Sequence, residues 1–356
     1  MPATGNQTPE MTEEVPLLRV PVVRATSASM AVLAFLALTA APAGAQAWLP
    51  AHGEGTVSLV FQDAAYKYHY FTTEPIDRGH IRSDSLIVDL TYGVTDKLAL
   101  TVGIPWVAAR YRGTAPHQLL DTSGPVPKLY GANPIDDGSF HDTFQDFRFD
   151  LRYNVTKKGV VLTPFVGSIV PSHNYEYFAH AAPGRSVREL QVGASAAKLL
   201  DSIVPGLFVQ GRYAYGFAEE ILGISHDRSS MGLEVGYFLT PKLRLLGLSS
   251  GQITHGGIDL TLNSKEVLGP ILFSHHDQID RVNFLNLGGG GSYSLTEQVD
   301  LFGALIHTVA QRNGHAIEYG LSVGLSWTFS ARSAKDRAFA SNESSLARCA
   351  CEKGMK

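Results

Sequence analysis

The sequence predicts an all-β fold: an antiparallel transmembrane β-barrel of about 12 strands with short periplasmic turns and long extracellular loops. Three observations lead to this prediction. Apolar and polar residues alternate with a period of two along most of the chain, short and long connections alternate between the strands, and an export signal precedes them. The barrel is predicted to span residues 48–329.

The composition excludes several other classes of protein. Charged residues make up 17% of the 356 residues and the net charge is −4, which indicates neither a disordered chain nor a nucleic-acid-binding protein. Cys349 and Cys351 are the two cysteines of the chain, so a disulfide scaffold and a multi-cysteine metal fold are excluded. We therefore expect no nucleic-acid partner and no cofactor.

The first element, residues 1–47, has the pattern of a secretory signal peptide. Two arginines precede the apolar run Met30–Ala41, which is shorter than the ~20 residues needed to span a membrane. A small-x-small cleavage pattern ends at Ala47. We expect cleavage after Ala47 and a mature start at Trp48. A single membrane anchor helix is the alternative interpretation.

Strict alternation over about ten residues marks the strands, because each strand has a different solvent on each face. The clearest case is the stretch 146–155, in which every second residue is apolar: Phe147, Phe149, Leu151, Tyr153 and Val155. The same period predicts twelve strands, near residues 53–71, 82–94, 97–111, 143–154, 159–170, 186–199, 204–218, 228–239, 242–254, 280–294, 298–311 and 316–329.

The connections are of two kinds, which a barrel places at opposite rims. Very short links follow Thr95, Thr156, Asp201, Thr240 and Leu295. Longer polar stretches lie near residues 72–81, 112–141, 171–185, 219–227, 255–278 and 312–315. A soluble β-sandwich also has alternating strands, but the export signal, the polar face rich in glycine and serine, and the aromatic residues near strand ends favour the barrel.

Charged residues on the polar face are predicted to point into the lumen, because a charge facing lipid costs several kcal/mol. The candidate pore-lining residues are Asp89, Asp146, Arg148, Asp150, Arg152, Glu189, Arg212, Glu234 and Glu318. The facing of Asp300 and Arg244 stays open. The excess of acids predicts a preference for cations or neutral solutes. The alternative is that these charges pair with one another and brace the lumen.

Histidine is concentrated in the predicted outer loops. Because imidazole and carboxylate form a reasonable ligand set for zinc, copper or iron, a metal site is one interpretation. The candidate ligands are His141, His173, His226, His255 and His276. Polar loop composition and pH-dependent gating are the two alternatives.

Four motifs carry a resemblance to a known family. They are Tyr92–Leu100 (YGVTDKLAL), Thr163–Phe165 (TPF), Gly236–Pro241 (GYFLTP) and Leu325–Phe329 (LSWTF). On these motifs the chain resembles outer-membrane β-barrel transporters linked to the meta-pathway of phenol degradation. The resemblance spans residues 53–329 and implies hydrophobic or aromatic compounds as one class of cargo.

We therefore expect an outer-membrane channel or transporter of a Gram-negative bacterium, through which small solutes diffuse along a narrow lumen. A barrel of twelve strands has a lumen of intermediate width, wider than the filled interior of eight-stranded barrels and narrower than the open channel of 16-stranded porins. The 112–141 loop is long enough to fold into the mouth. The alternative is a non-conducting barrel whose histidine-rich extracellular loops bind a metal or a partner.

An enzyme is not expected. The sequence contains no G-x-S-x-G and no H-E-x-x-H motif. A serine nucleophile needs a histidine within hydrogen-bonding reach. On a strand, His226 and Ser229 face opposite sides, and His226 lies ~13 Å from Ser230.

The last predicted strand ends in Trp327 and Phe329, which resemble the signal that the barrel-assembly machinery reads. Residues 330–356 follow as a charged, non-periodic tail, which we interpret as a flexible extension. The expected partners are outer-membrane lipids and lipopolysaccharide, the assembly machinery and a small-molecule solute.

Removal of residues 330–356 should leave membrane assembly intact, because Phe329 remains as the closing aromatic residue. The measurement is the yield of folded barrel in the outer-membrane fraction, detected by its heat-modifiable migration on electrophoresis. Loss of insertion in the truncated protein, at normal expression, would show that the tail contributes to assembly.

Overall fold

The predicted strands close into one antiparallel barrel. The structure, a computed structural model, describes residues 47–156 and 159–331. The predicted signal peptide, apart from Ala47, and the tail from residue 332 lie outside the described residues. Among the described residues, no helix is long and apolar enough to cross a membrane.

The described residues form fifteen strands and three short helical segments. The strands are β1 Glu54–Phe71, β2 Glu74–Gly93, β3 Leu98–Arg112, β4 Leu119–Asp121, β5 Lys128–Tyr130, β6 His141–Phe144, β7 Phe147–Tyr153, β8 Val160–Val170, β9 Glu189–Leu199, β10 Leu207–Ala218, β11 His226–Phe238, β12 Leu243–Gly256, β13 Asn283–Ser294, β14 Val299–Arg312 and β15 Gly314–Ser330. The helical segments are a 3₁₀ turn Pro134–Asp136, α1 Ser264–Ser274 and α2 His276–Ile279.

Twelve barrel strands result from this set. β6 and β7 both pair with β3, so they are two parts of one strand interrupted at residues 145 and 146. β4 and β5 form a separate small hairpin within the loop that follows β3. The barrel closes because β15 pairs with β1, from Glu54 opposite Ser330 to Tyr70 opposite Gly314. Every barrel strand therefore has two neighbours.

The two faces of the barrel wall differ as the alternation requires. In β15, Leu321, Val323 and Leu325 are exposed on the outside, whereas Ser322 between them is buried in the lumen wall. Trp327 is also half exposed, and its ring lies 5.4 Å from that of Phe329, centroid to centroid. The outer wall is thus apolar around its circumference.

The short connections share a turn built around threonine. In the links after β2, β11 and β13, the hydroxyl oxygens of Thr95, Thr240 and Thr296 accept hydrogen bonds from the backbone N–H groups two and three residues further on. A threonine side chain at this position replaces a backbone partner and fixes the turn locally.

The sequence predicts a long loop at residues 72–81, and this prediction is wrong. β2 begins at Glu74, and Phe71 pairs directly with Glu74, so the loop is a tight turn of two residues. Backbone pairing continues through polar residues here, and these carry no alternation from which the strand could be predicted. The turn between β14 and β15 is similarly short and consists of Asn313 alone.

Three long loops lie at the same rim as the turns after β1 and β14, and they fold together. They comprise residues 113–140, 171–188 and 257–282, and we refer to them as the plug. The side-chain amide of Asn133 donates to the Phe178 carbonyl at 2.9 Å, and that of Gln278 donates to the Arg185 carbonyl at 2.9 Å. Ala181 of the second loop packs with Val107 and Tyr111 on the inner wall of β3. The plug therefore occupies the outer end of the lumen.

Gly288 lies where β13 and β14 approach closely, so a substitution at this position tests the packing of the barrel wall. A Cβ atom added at Gly288 would clash with the carbonyl oxygen of Leu305, whereas at Gly289 the nearest atom would be 3.4 Å away. We expect Gly288→Ala to lower the free energy of unfolding by about 1–3 kcal/mol and Gly289→Ala to change it little. Urea titration of the folded protein in detergent measures both. Equal stability of the two variants would contradict the close approach.

Candidate functional site

The polar face of the barrel encloses a cavity at mid-height, which we call the central cavity. Its volume is about 260 Å³. The charged residues that line it are Asp89, Arg148, Asp150, Arg152 and Arg212. Small polar side chains and the apolar Phe149, Ile169 and Ala214 complete the lining, so that a small solute would meet charged, polar and apolar groups at this level.

The charges of the central cavity lie on three strands, β2, β7 and β10, and acids and bases from different strands contact one another. Arg212 of β10 contacts Asp150 of β7 at 3.1 Å between Nη2 and Oδ2, and its guanidinium stacks 3.6 Å from the centroid of the Phe165 ring. Arg148 of β7 lies 4.0 Å from Asp89 of β2. The five charged residues carry a formal net charge of +1. The acidic lumen expected from the sequence is therefore not present in this cavity.

Three of the remaining candidate lumen residues, Glu189, Asp146 and Glu234, lie elsewhere on the inner wall beside partner residues. Glu189 is buried and contacts Arg228 at 2.7 Å. Asp146 accepts a hydrogen bond from the hydroxyl of Tyr175, a plug residue. Glu234 is paired with Gln210 in the ladder between β10 and β11. Arg244 contacts Asp300 at 3.4 Å, so the two residues whose facing was open pair with each other.

The prediction that Glu318 lines the lumen is wrong. Glu318 is exposed, and it lines neither the central cavity nor a larger cavity that lies between the central cavity and the plug. The register of β1 with β15 shifts here: Ala65 pairs with Tyr319, and Tyr66 pairs with Ile317. Glu318 is the extra residue of this β-bulge, and Ile317 takes its place in the lumen. One added residue moves the side chains beyond it to the other face of the sheet. The alternation of apolar and polar residues in the sequence does not show where such a residue lies.

A second cavity, the upper cavity, lies between the central cavity and the plug. Its volume is about 650 Å³, and Arg148 and Ile169 line both cavities. The barrel wall contributes apolar side chains, which include Tyr66, Ile81, Ile87, Val107, Phe284 and Ile317. The plug contributes polar residues, which include His180, Arg185 and Asp277. A volume in this range matches that of small-molecule sites.

Asp136 holds the plug together. One carboxylate oxygen accepts hydrogen bonds from the backbone N–H groups of His117 (2.9 Å) and His180 (3.2 Å), and the other accepts from that of Ala181 (2.9 Å). Burial opposes ionisation of Asp136, but the hydrogen bonds outweigh it and lower its pKa. One carboxylate thus joins the 113–140 loop to the 171–188 loop.

The plug and the adjoining strands bring five histidines together, His69, His117, His180, His276 and His315, which we call the histidine cluster. The Nδ1 atom of His180 lies 3.3 Å from Nε2 of His315, and the rings of His117 and His180 are 4.1 Å apart between centroids. Asp136 and Asp277 border the cluster.

Of the histidines proposed as ligands from the sequence, only His276 belongs to this cluster. His141 contacts Asp137 at 3.0 Å on the surface, His173 contacts Thr143 at 3.0 Å, and His255 contacts Ser229 at 2.8 Å. His226 is buried near the carbonyl of Ile224. The structure therefore does not bring the five together.

The other four members of the cluster were missed as ligands because their spacing carries no signal. They come from β1, two different loops and β15. The His-Asp pair at residues 276 and 277 was the one local pattern that pointed to the cluster.

A serine–histidine contact lies on the outer wall. Ser229 Oγ is 2.8 Å from His255 Nε2 and also contacts the Tyr213 hydroxyl at 3.0 Å. Among the described residues, no carboxylate lies within hydrogen-bonding distance of His255. A nucleophilic serine needs a histidine that a third group orients. The contact thus supplies only part of a hydrolytic site.

The opposite end of the lumen is crossed by residues 47–53. The hydroxyl of Thr163 donates to the Ala47 carbonyl at 2.6 Å, and the Trp48 ring lies edge-on to that of Phe208 at 6.0 Å. The backbone N–H of His52 donates to Asp96 at 2.9 Å. This segment narrows the lumen at the rim of short turns.

Solved structures share this fold. A COG4313 outer membrane channel from Pseudomonas putida F1 is 15% identical, with a TM-score of 0.59, over 82% of this chain and 100% of that chain. The NanC porin (7% identity, TM-score 0.44, 76% and 98% coverage) and the CymD monoaromatic hydrocarbon channel (11%, 0.37, 79% and 89%) are less similar. No family model and no curated protein matches the sequence. The similarity shows the barrel fold alone.

Asp136→Ala should loosen the plug while leaving the barrel closed. Three backbone N–H groups lose their acceptor, and each buried donor left unsatisfied costs about 1–3 kcal/mol. We expect faster proteolysis within residues 113–140 in the folded protein. Asp137→Ala is the matched control, because Asp137 is exposed and its side chain contacts the nearby Ser139 and His141 and not the 171–188 loop. Unchanged proteolysis of Asp136→Ala would contradict the anchoring role.

Proposed function

We propose that the protein is an outer-membrane channel for small solutes, which pass by diffusion along the lumen when the plug moves. The observation that carries this proposal is the central cavity, a chamber inside a closed barrel that is lined by charged side chains of both signs. Charged side chains that line a narrow passage select among permeant solutes. The fold shared with an outer membrane channel supports the same function.

The outer membrane of a Gram-negative bacterium is the proposed location, reached after signal-peptide cleavage near Ala47. The apolar outer wall supports it, because a closed barrel satisfies its backbone hydrogen bonds within the sheet and can face lipid on the outside. Exposed leucines and valines such as Leu86, Val88 and Leu90 would be unfavourable in water over so large a surface. Lipids, lipopolysaccharide and the assembly machinery are the partners that this location requires.

Small hydrophobic or aromatic compounds are the proposed class of solute. The apolar wall of the upper cavity supports this proposal, as does the resemblance of the sequence to transporters of the phenol meta-pathway. A solute with an aromatic ring and a polar group would meet apolar side chains first and the arginines of the central cavity next. The plug must move for entry, since it occupies the outer end of the lumen.

Planar-bilayer conductance of the refolded mature chain tests the proposal. We expect small ohmic steps with a preference for anions, because the central cavity carries a net positive charge. A correctly folded barrel without conductance, in the wild type and in Asp136→Ala alike, would favour the non-conducting alternative, in which the loops bind a metal or a partner.

Arg152→Gln combined with Arg212→Gln should shift the selectivity towards cations, because the formal charge of the central cavity becomes −1. We expect the ratio of chloride to potassium permeability to fall about two-fold or more, measured from the zero-current potential in a salt gradient. Arg188→Gln is the control, since Arg188 is exposed, pairs with Glu219 and does not line the central cavity. An equal shift in the control would show that surface charge sets the selectivity.

A further inference from the structure

We propose that the plug contains a binding site for one divalent transition-metal ion of the zinc class, with His117, His276 and Asp277 as ligands. His117 comes from the 113–140 loop, and the other two come from α2 in the 257–282 loop. The site would therefore join two loops of the plug. The proposal does not depend on whether the barrel conducts.

Each histidine lies at a distance from one oxygen of Asp277 that is close to the ligand separation around a tetrahedral ion. His117 Nε2 lies 3.4 Å from Asp277 Oδ2, and His276 Nε2 lies 3.3 Å from Asp277 Oδ1. Zinc binds nitrogen and oxygen at ~2.0–2.2 Å, so neighbouring ligands of a tetrahedral ion are ~3.3–3.5 Å apart. One atom from each of the three residues lies within 4.8 Å of the others.

The environment of each histidine leaves Nε2 available. His276 Nδ1 donates to the Phe273 carbonyl at 2.7 Å, which leaves the lone pair on Nε2. His117 Nδ1 lies 3.7 Å from Asp136, so a carboxylate stands behind this ring on the side away from Asp277, as is usual for metal-binding imidazoles. The Nε2 atoms of both rings thus point to Asp277.

Burial adds a second, independent observation. The side chains of His117 and His276 are 5% and 3% exposed, and Asp277 Oδ2 is buried without a hydrogen-bond partner. A buried carboxylate oxygen that lacks a donor is costly, and a cation offsets that cost.

A second set of three histidines lies beside this site. His69, His180 and His315 also place one nitrogen each within 4.8 Å of one another, and both ring nitrogens of His69 are buried without partners. We assign the ion to the first set because its carboxylate neutralises part of the positive charge in a buried place. The three-histidine set has no carboxylate among its members.

Metal binding to the full mature chain, purified without a polyhistidine tag, tests the assignment. Cys349→Ser and Cys351→Ser are introduced in every variant, so that the tail offers no thiol ligand. Isothermal titration with Zn²⁺ should show one equivalent bound, and Co²⁺ should give the intense visible absorption of a tetrahedral site. Absence of both signals from the folded protein would overturn the proposal.

Asp277→Asn keeps the shape of the side chain and removes its charge. We expect Zn²⁺ affinity to fall at least about ten-fold in Asp277→Asn and in His276→Gln, each with unchanged heat-modifiable migration. His141→Gln is the matched control, because His141 also contacts an aspartate but belongs to none of the groups of three candidate ligands found among the described residues. Its affinity should equal that of the wild type.

The same titration distinguishes the neighbouring set. If Asp277→Asn retains full affinity while His315→Gln loses it, the ion lies among the three histidines and the assignment is wrong. If His141→Gln weakens binding as much as Asp277→Asn, the binding is a general property of the loops and the proposal fails. Bound Zn²⁺ should also slow proteolysis of the 113–140 loop in the wild type, but not in Asp277→Asn.

Discussion

The pairing of the first strand with the last is the constraint on which the rest of the structure depends. Between Glu54 opposite Ser330 and Tyr70 opposite Gly314, it removes the two free edges that a sheet of this length would otherwise expose. With no free edge, the outer wall can be apolar and the inner wall polar. All irregular chain is then confined to the two rims, where the plug and the short turns lie.

Two buried polar side chains join the loops of the plug, beside apolar packing such as that of Ala181 against Val107 and Tyr111. Asp136 joins the 113–140 and 171–188 loops, and Asn313 joins the 257–282 loop to the barrel rim. The side chain of Asn313 is fully buried, accepts from Thr72 and Leu260, and donates to Arg281 at 3.1 Å. Contacts of this kind hold a loop firmly but can be exchanged for water, which suits a part that must move.

Sequence predicted the barrel because alternation and turn residues are local signals. The sequence did not predict the features that depend on contacts between residues far apart in the chain. The loop expected at residues 72–81 is a continued ladder of polar residues, and the facing of Glu318 depends on a bulge opposite Tyr66. The histidine cluster was missed for the same reason, since separate strands and loops contribute its members and only the His-Asp pair at 276 and 277 had a local pattern.

Access of a thiol reagent to the central cavity tests most directly whether the plug closes the lumen. Ser230 lines that cavity, and a single cysteine placed there, with Cys349 and Cys351 replaced by serine, reports on entry from outside. In intact cells a charged, membrane-impermeant thiosulfonate should modify Ser230→Cys far more slowly than Ser123→Cys on the exposed 113–140 loop. Equal rates at the two positions would show that the lumen is open and would contradict a closing role for the plug.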